Sequence, residues 1–167
     1  MAKGGNLSRN LSFAEAGALL RKAGIGFCGT AIASDELSTL AAAEKAGFPV
    51  FLKVVSAAIG ASAVHKSKQG LVARVEGAQS FPATFRKLAA AHARLAAKGL
   101  VEKKLQVAVQ REISGIECII GAKRDASFGT FALVGSGGVL AEEISDTAIR
   151  LCPLALEDAL SMISDTK

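Results

Sequence analysis

The sequence predicts an α+β fold of mixed α/β character, and two observations support this class. Helical and strand-like patterns alternate along the first part of the chain, and three strand-like runs then follow one another before a closing helix. Alternation followed by a cluster of strands is typical of such folds. With 167 residues, of which 50% are hydrophobic, the chain has about the length of one domain and can bury a sizeable core.

The first elements are predicted from helix-capping and glycine signals. Residues 12–15 form a capping box, and Gly24 can end the helix in the left-handed conformation. Residues 27–33 form a short strand-like run. A second helix is predicted over residues 34–47, because Ser-Asp-Glu opens the segment and a glycine closes it.

The middle of the chain contains one strongly apolar strand. Residues 50–55 are apolar except for Lys53, which is the pattern of a buried strand. Proline is favoured at the first position of a helix, which places a helix start at Pro82. The remaining elements here are a small-residue loop, a short strand and an alanine-rich helix, at residues 57–64, 71–75 and 83–98.

The last part of the chain is predicted to contain three strands and a helix, at residues 105–112, 117–122, 130–134 and 156–163. No internal repeat or long linker interrupts the pattern. The polar N-terminal segment, residues 1–11, is predicted to be disordered.

Composition disfavours several classes of function. The net charge is +5, but the basic residues are scattered, and no aromatic-interleaved basic stripe marks a nucleic-acid surface. No run approaches the roughly 18 apolar residues of a membrane span, and the start lacks an apolar signal core. The three cysteines show neither metal-site nor disulfide spacing and are expected to be buried thiols. We therefore expect a cytoplasmic protein without nucleic-acid or membrane partners.

Residues 115–153 carry glycines and charged residues inside an otherwise apolar stretch. A core strand pair has no need of an Arg-Asp pair, a Gly-Ser-Gly-Gly turn and spaced acidic and basic residues, whereas a site for an anionic, metal-chelated ligand does. The positions concerned are Gly115, Glu117, Gly121, Arg124, Asp125, Gly129, Gly135, Gly137, Gly138, Glu142, Asp146, Arg150 and Pro153.

Two upstream features add candidate chemistry. Lys53 places a charge in an apolar strand, which is costly unless an anion meets it; the alternative is an edge-strand lysine that extends to water. His65, followed by Lys66 and Ser67, offers a nucleophilic imidazole beside cationic and hydroxyl groups. The alternative for it is a histidine on a surface loop. His92, which lies between two alanines of a predicted helix, is expected on the surface.

Together these residues resemble the ATP-grasp domain of ADP-forming acyl-CoA synthetases, of the β-subunit type related to succinyl-CoA synthetase. The resemblance covers nearly everything from residue 12 onward. It implies an ATP-grasp fold, with the small α/β lobe over residues 12–104 and the start of a second lobe over residues 105–167. The fold is expected to be incomplete at the C-terminus, because the family continues beyond the point where this sequence stops. Three positions depart from the Asp, Gly and Pro of the family's pattern, namely Lys68, Leu71 and Ala126.

The resemblance implies a role for each candidate residue. His65 takes a phosphoryl group from a phosphohistidine in the CoA-binding part and passes it to ADP, while Lys66 and Ser67 steady the phosphate. Lys53 contacts a nucleotide phosphate. The nucleotide-binding positions implied downstream are Gln110, Arg111, Glu112, Glu117, Arg124, Gly137 and Gly138, and the implied Mg²⁺ ligand is Glu142.

Some of these roles have structural alternatives. Backbone groups of residues 110–112 are implied to bind the purine edge, and the acid at the end of that segment the ribose hydroxyls; the alternative is an ordinary hairpin with a Ser-Gly turn. The planar fork of Arg124 suits phosphate or carboxylate, but it can equally pair with a nearby acid and organise the turn. The candidate acids are Asp125, Glu117 and Glu142.

The implied activity is that of an acid–thiol ligase. It converts acyl-CoA, ADP and phosphate reversibly into acid, CoA and ATP through a phosphohistidine relay, with ATP or ADP and Mg²⁺ as cofactors. Activity is expected only with further residues or a partner chain. The expected partner, in an oligomer, is a CoA-binding subunit or set of domains that bears the primary phosphohistidine. One alternative is a non-catalytic nucleotide-sensing or assembly module derived from that domain. Another is an ATP-grasp ligase that joins a carboxylate to an amine and needs no phosphohistidine.

Overall fold

The chain divides into two compact units. The computed structural model describes residues 11, 13–26, 28–56, 69–138 and 146–166. The first unit spans Met1–Ile113 and the second Ser114–Lys167. The sequence analysis places this boundary after residue 104. The structure differs because residues 107–111 pair with two strands of the first unit and so belong to its sheet.

The described part of the first unit mixes helices and strands. Its elements are α1 (Phe13–Lys22), β1 (Thr30–Ala33), α2 (Glu36–Ala46), β2 (Val50–Val54), β3 (Val72–Val75), α3 (Phe81–Ala97) and β4 (Val107–Arg111). The predicted capping residue of α1, Ser12, and the predicted loop at residues 57–64 lie outside the described residues.

The strands of the first unit form an antiparallel sheet in the order β1-β4-β2-β3. Side chains alternate between the two faces of each strand, and Val50, Leu52 and Val54 of β2 are fully buried on one of them. In the register, Val109 of β4 lies opposite Leu52 and joins the same face. This face packs against α2 and α3, so the core lies between the sheet and these two helices.

Helix α3 supplies most of the apolar cover for the sheet. Phe81, Phe85, Leu88 and Leu95 are buried and recur at the spacing of one helical face. The rings of Phe81 and Phe85 stack with their centroids 5.7 Å apart. Burying a side chain of this size stabilises a fold by about 1.5–3 kcal/mol, so this face accounts for a large share of the stability of the unit.

His92 lies on the same face of α3, which corrects its predicted place on the surface. Its side chain is buried, with 5% of the residue exposed, and its Nε2 lies 2.9 Å from the carbonyl oxygen of Glu102. Because a carbonyl oxygen only accepts, the ring nitrogen donates this hydrogen bond. The residue follows the buried Leu88 by four positions, which places it on the apolar stripe.

Helix α2 begins and ends as the sequence predicts. The carboxylate of Asp35 accepts a hydrogen bond of 2.8 Å from the backbone N–H of Ser38, which caps the first turn. This backbone hydrogen bond is the main cause that lowers the pKa of Asp35. Gly47 follows the last helical residue with a φ of 80°, a conformation that glycine adopts without strain.

The second unit is a small sheet with one helix in its described part. Strands β5 (Cys118–Asp125), β6 (Gly129–Ser136) and β7 (Thr147–Leu151) pair antiparallel in that order, and α4 (Leu156–Ser164) follows. Strand β7 is absent from the sequence prediction. Burial alternates along this strand, because Ala148 is buried while Thr147 and Ile149 are exposed, but its larger apolar side chains lie on the exposed side, so the sequence pattern does not predict this burial.

Helix α4 covers one face of this sheet. Its Met162 is buried, as is Ala148 on the strand beneath it, and Arg150 on the same face of β7 pairs with Asp165 at the end of the helix. The other face carries an apolar row of exposed side chains. These are Ile119, Ile149 and Leu151, which are 42%, 51% and 58% exposed.

The cysteines differ from the expectation of buried thiols. Cys118 and Cys152 are exposed and Cys28 is half-buried. The reason is position, since Cys118 begins an edge strand and Cys152 follows the last residue of another. Within the described ranges, no helix has both the length and the apolar character needed to cross a bilayer.

Candidate functional site

The sheet face of the first unit that lies opposite α2 and α3 gathers polar side chains from all four strands. We call it the polar face and define it by the polar residues Thr30, Lys53, Arg74 and Gln110, together with Phe51. The register places Thr30, Gln110, Phe51 and Arg74 in one row across β1, β4, β2 and β3, and Lys53 on the same face two positions along β2. The structure thus brings two predicted nucleotide-binding residues, Lys53 and Gln110, onto one surface.

Lys53 lies in the interior of the sheet. Strand β2 has β4 on one side and β3 on the other, so the alternative of an edge-strand lysine is wrong. The side chain is half-buried, and its Nζ lies 5.7 Å from the centre of the Phe51 ring. Among the described residues, no carboxylate forms an ion pair with it. The ammonium group therefore remains available to an anionic ligand.

Two polar contacts order the far end of this face. The side-chain amide of Gln110 donates a hydrogen bond of 2.8 Å to the hydroxyl of Thr30. Glu112, one step beyond the end of β4, is held by Arg74, which donates from Nε and Nη2 to the two carboxylate oxygens at 2.9 and 2.7 Å. Hydrogen bonding to Arg74 lowers the pKa of Glu112, and the same contact raises the pKa of Arg74.

Some of the backbone hydrogen-bonding groups near these residues already have partners within the protein. The N–H of Glu112 donates to the carbonyl oxygen of Pro49 at 3.0 Å, so this predicted donor to a purine edge already has a partner. Arg111 points to the opposite side of the strand from Gln110 and is exposed at the strand end. It therefore does not share the polar face with Gln110 and Lys53.

Arg74 is a residue of the polar face that the sequence analysis did not single out. A signal was present, because an arginine interrupts the predicted strand at residues 71–75 as a lysine interrupts the strand before it. Its partner Glu112 is 38 positions away in sequence, so only the register of the sheet reveals the pair.

In the second unit, the glycine-rich turn packs against its own chain. The N–H of Gly137 donates to the carbonyl oxygen of Glu117 at 2.8 Å. A methyl group added at Gly137 would lie 2.8 Å from the backbone of Glu117, and one added at Gly138 would lie 2.8 Å from its carboxylate. The absence of side chains at these two glycines therefore allows the turn to approach Glu117 closely.

Arg124 and Asp125 lie at the hairpin turn between β5 and β6. The carboxylate of Asp125 accepts hydrogen bonds from the N–H groups of Ser127 and Phe128 at 2.8 and 3.0 Å, which lower its pKa, the bond from Phe128 most. Arg124 is exposed and forms no ion pair with Asp125, Glu117 or any other described residue. Its guanidinium is therefore available to a ligand.

Four further predicted site residues, His65, Lys66, Ser67 and Glu142, lie outside the described residues. In the described part of the chain, no group of three or more His, Cys, Asp or Glu side chains could hold a metal ion.

Comparisons with known proteins agree on one family. A family model described as an ATP-grasp domain matches residues 4–167. ADP-forming acetate–CoA ligase II of Archaeoglobus fulgidus is 32% identical over 155 residues, which cover 92% of this chain and 21% of that protein. The chain thus spans about a fifth of this relative. The β subunit of ADP-forming acetate–CoA ligase I of Pyrococcus furiosus is 30% identical over 96% of this chain and 67% of that subunit.

A solved structure extends the agreement to the fold. It is that of dinucleotide-forming acetyl-coenzyme A synthetase 1 of Candidatus Korarchaeum cryptofilum in complex with coenzyme A, Ca-AMPCP and HgCl⁺. The match has a TM-score of 0.81 at 30% identity and covers 97% of this chain and 69% of that one.

Proposed function

The chain belongs to the ATP-grasp domain family, and from this premise we propose that it is the nucleotide-binding part of an ADP-forming acyl-CoA synthetase. The α+β fold and the similarity to ADP-forming acetate–CoA ligases confirm the fold class and the family resemblance. The proposed reaction converts acyl-CoA, ADP and phosphate reversibly into a carboxylic acid, CoA and ATP. A non-catalytic module is not favoured, because the relatives are named as ligases.

The observation that carries the proposal is the free ammonium group of Lys53. A half-buried cation on a sheet face loses part of its hydration, and it has no anionic partner among the described residues to offset this loss. A nucleotide phosphate would supply the missing charge through a charge-assisted hydrogen bond. The remaining contacts of the polar face suit the rest of a nucleotide, since Gln110 and Glu112 offer hydrogen-bonding groups further along the strand.

The second unit offers groups for the phosphates and the metal. The exposed guanidinium of Arg124 can bind phosphate oxygens in its planar fork, and the backbone N–H groups at Gly137 and Gly138 are proposed to lie near the phosphates. Mg²⁺ takes oxygen ligands, and when bound to a nucleotide it neutralises phosphate charge. Glu142, with Glu117 in support, is the proposed ligand in this chain.

The proposal also includes a phosphoryl relay and a partner. His65, with Lys66 and Ser67 beside it, is proposed to accept a phosphoryl group from a phosphohistidine and to pass it to ADP, because an imidazole nitrogen is nucleophilic near neutral pH. The phosphohistidine and the CoA site would come from a CoA-binding partner or domain, in line with the β-subunit name of one relative.

Titration calorimetry with ADP and ATP on the wild-type chain and on Lys53→Met tests the proposal. We expect the substitution to weaken nucleotide binding by about 1.5–3 kcal/mol, the value of a hydrogen bond to a charged group. Lys87→Met is the matched control, because Lys87 is exposed on α3 and lies away from the polar face. This control should bind as the wild type does.

Two results would contradict different parts of the proposal, namely nucleotide binding itself and the role of Lys53 in it. A wild-type chain that binds neither ADP nor ATP would overturn its assignment as a nucleotide-binding part. Equal affinity of the wild type and Lys53→Met would leave nucleotide binding intact and remove Lys53 from the phosphate site.

A further inference from the structure

We propose that one side of α4 is a docking surface for a second, amphipathic helix, which a polypeptide segment outside these 167 residues supplies. The surface consists of Leu156, Leu160 and Ile163, which we call the α4 stripe. These residues are four and three positions apart, so they lie on one side of the helix. They are between 55% and 70% exposed, although all three side chains are large and aliphatic.

Helix α4 packs on its own sheet through a different side. Met162 is buried and Ala159 is half-buried, and the helical period places their side roughly a quarter turn from the middle of the α4 stripe. A helix that needs no further partner resembles α3, which is described along its whole length and exposes no large apolar side chain. The α4 stripe is therefore a second apolar side on a helix whose first apolar side is already buried.

The sheet beneath α4 is covered only in part. Ala148 of β7, Val134 of β6 and Ile120 of β5 lie side by side in the register and so share one face. Ala148 is 6% exposed and Val134 is half-buried, but Ile120 is 82% exposed. The reason for this gradient is that α4 packs against β7 and β6. The β5 side of the same face remains open.

The open part of the face has the width of one helix. Neighbouring strands are about 4.8 Å apart, so β5 lies roughly 9.5 Å from β7. Packed helices have their axes about 8–10 Å apart. A helix laid over β5 would therefore cover Ile120 and pack against the side of α4 at an ordinary helix–helix distance. Exposed apolar surfaces of this kind mark sites of protein contact.

The relatives contain residues that are candidates for this helix. The match covers 69% of the chain in the solved structure and 67% of the β subunit of Pyrococcus furiosus, so each has a segment with no counterpart among these residues. The inference goes beyond the proposed function and does not depend on nucleotide binding. A second copy of this chain is the competing occupant, and the test separates the two.

The test places the photo-cross-linking amino acid p-benzoyl-phenylalanine at position 160 of the protein, in the cells that produce it. After irradiation, mass spectrometry identifies the peptide joined to α4. We expect a peptide from outside these residues, with apolar side chains that recur every three or four positions. Position 161 is the matched control, because Ser161 is exposed on α4 but lies outside the α4 stripe, and its cross-link to that peptide should be lost.

Other cross-linking results would overturn the inference. A cross-link from position 160 to α4 of another copy would make the surface a contact between copies. A cross-link only to residues 1–113 would assign it to the first unit of the chain. The absence of any cross-link, or equal cross-linking from positions 160 and 161, would show that no helix docks there. If the protein with the probe at position 160 does not accumulate, the probe at position 156 is read in its place.

Urea denaturation of these 167 residues alone provides a second readout. Leu160→Glu should leave the midpoint unchanged, as should the control Ser161→Glu, because both side chains are exposed without the proposed helix. A lower midpoint for Leu160→Glu alone would show that the α4 stripe already belongs to the core of this chain, which would overturn the inference.

Discussion

His92 is a polar side chain that helps to close the core of the first unit. Its ring packs on the apolar stripe of α3 and donates to the carbonyl oxygen of Glu102 in the segment after the helix. The ring thus joins two segments that are ten positions apart in sequence. Its contribution to stability comes from both the packing and the hydrogen bond.

We expect His92→Ala to lower the free energy of unfolding by about 2–3 kcal/mol, because it removes buried volume and the hydrogen bond from the ring to the segment after the helix. Arg94→Ala, an exposed change on the same helix, should stay within about 0.5 kcal/mol. Urea denaturation followed by circular dichroism measures both. Equal stability of the two variants would show that His92 is not part of the core.

For single residues, the sequence shows which side chains are unusual for their position more reliably than it shows which residues they contact. Lys53 was found because a charge interrupts an apolar strand, and the structure places it on the polar face. The Arg74–Glu112 pair was not found, because it depends on the alignment of β3 and β4 with the strand between them. His92 was misplaced because its alanine neighbours carry little information on which helical face is buried.

Among the elements, the contact between β6 and β7 depends on a glycine. A methyl group at Gly135 would lie 2.5 Å from the carbonyl oxygen of Asp146 and 2.7 Å from a methyl carbon of Thr147. At Gly121 of β5, by contrast, an added methyl group meets no heavy atom within 4 Å. Two strand glycines of the same unit therefore differ in the space available for a side chain.

Gly135→Ala should destabilise the second unit by about 1–3 kcal/mol, because strand backbone must move to admit the methyl group. Gly121→Ala should be neutral or stabilise slightly, since alanine loses less conformational freedom on folding. Thermal or urea unfolding of the two variants beside the wild type measures the difference. The explanation fails if Gly121→Ala is the more damaging substitution.

The elements themselves were largely predictable, with one informative exception. Strong local signals mark α2, β2 and α3, namely a capping carboxylate, an apolar run and a proline start. Strand β7 was missed because its charged residue was interpreted only as a ligand position. In the structure, Arg150 of β7 forms an ion pair with Asp165 at the end of α4.

On the scale of the whole molecule, the two units bury very different amounts of apolar surface. Among the described residues, Ala148 and Met162 are the buried hydrophobic residues of the second unit, whereas the first unit buries a continuous cluster around Leu52, Val109 and Leu88. Burial of apolar surface is the main stabilising contribution, so the units should differ in local stability.

We expect backbone amides of β5, β6 and β7 to exchange with deuterium at least about a hundredfold faster than those of β2 and β4. Mass spectrometry of peptides from each unit measures this directly. Matched protection in the two sheets would contradict the expectation and would indicate that both units open in one step.

Fold class and family were predictable from the sequence, while the extent of the first unit was not. The boundary depends on the sheet to which β4 belongs. Strand β4 pairs with β1 and β2, which are distant from it in sequence. Local patterns predict that a strand exists but carry no information on its neighbours.

The apolar row of the second unit has a consequence for how sequence variation should be interpreted. Ile119, Ile149 and Leu151 are between 42% and 58% exposed, so polar replacements there remove little burial. In a screen that scores only folding, these positions should tolerate most substitutions. If a second screen that scores activity rejects the same substitutions, the selection at this row acts on something other than the stability of the chain.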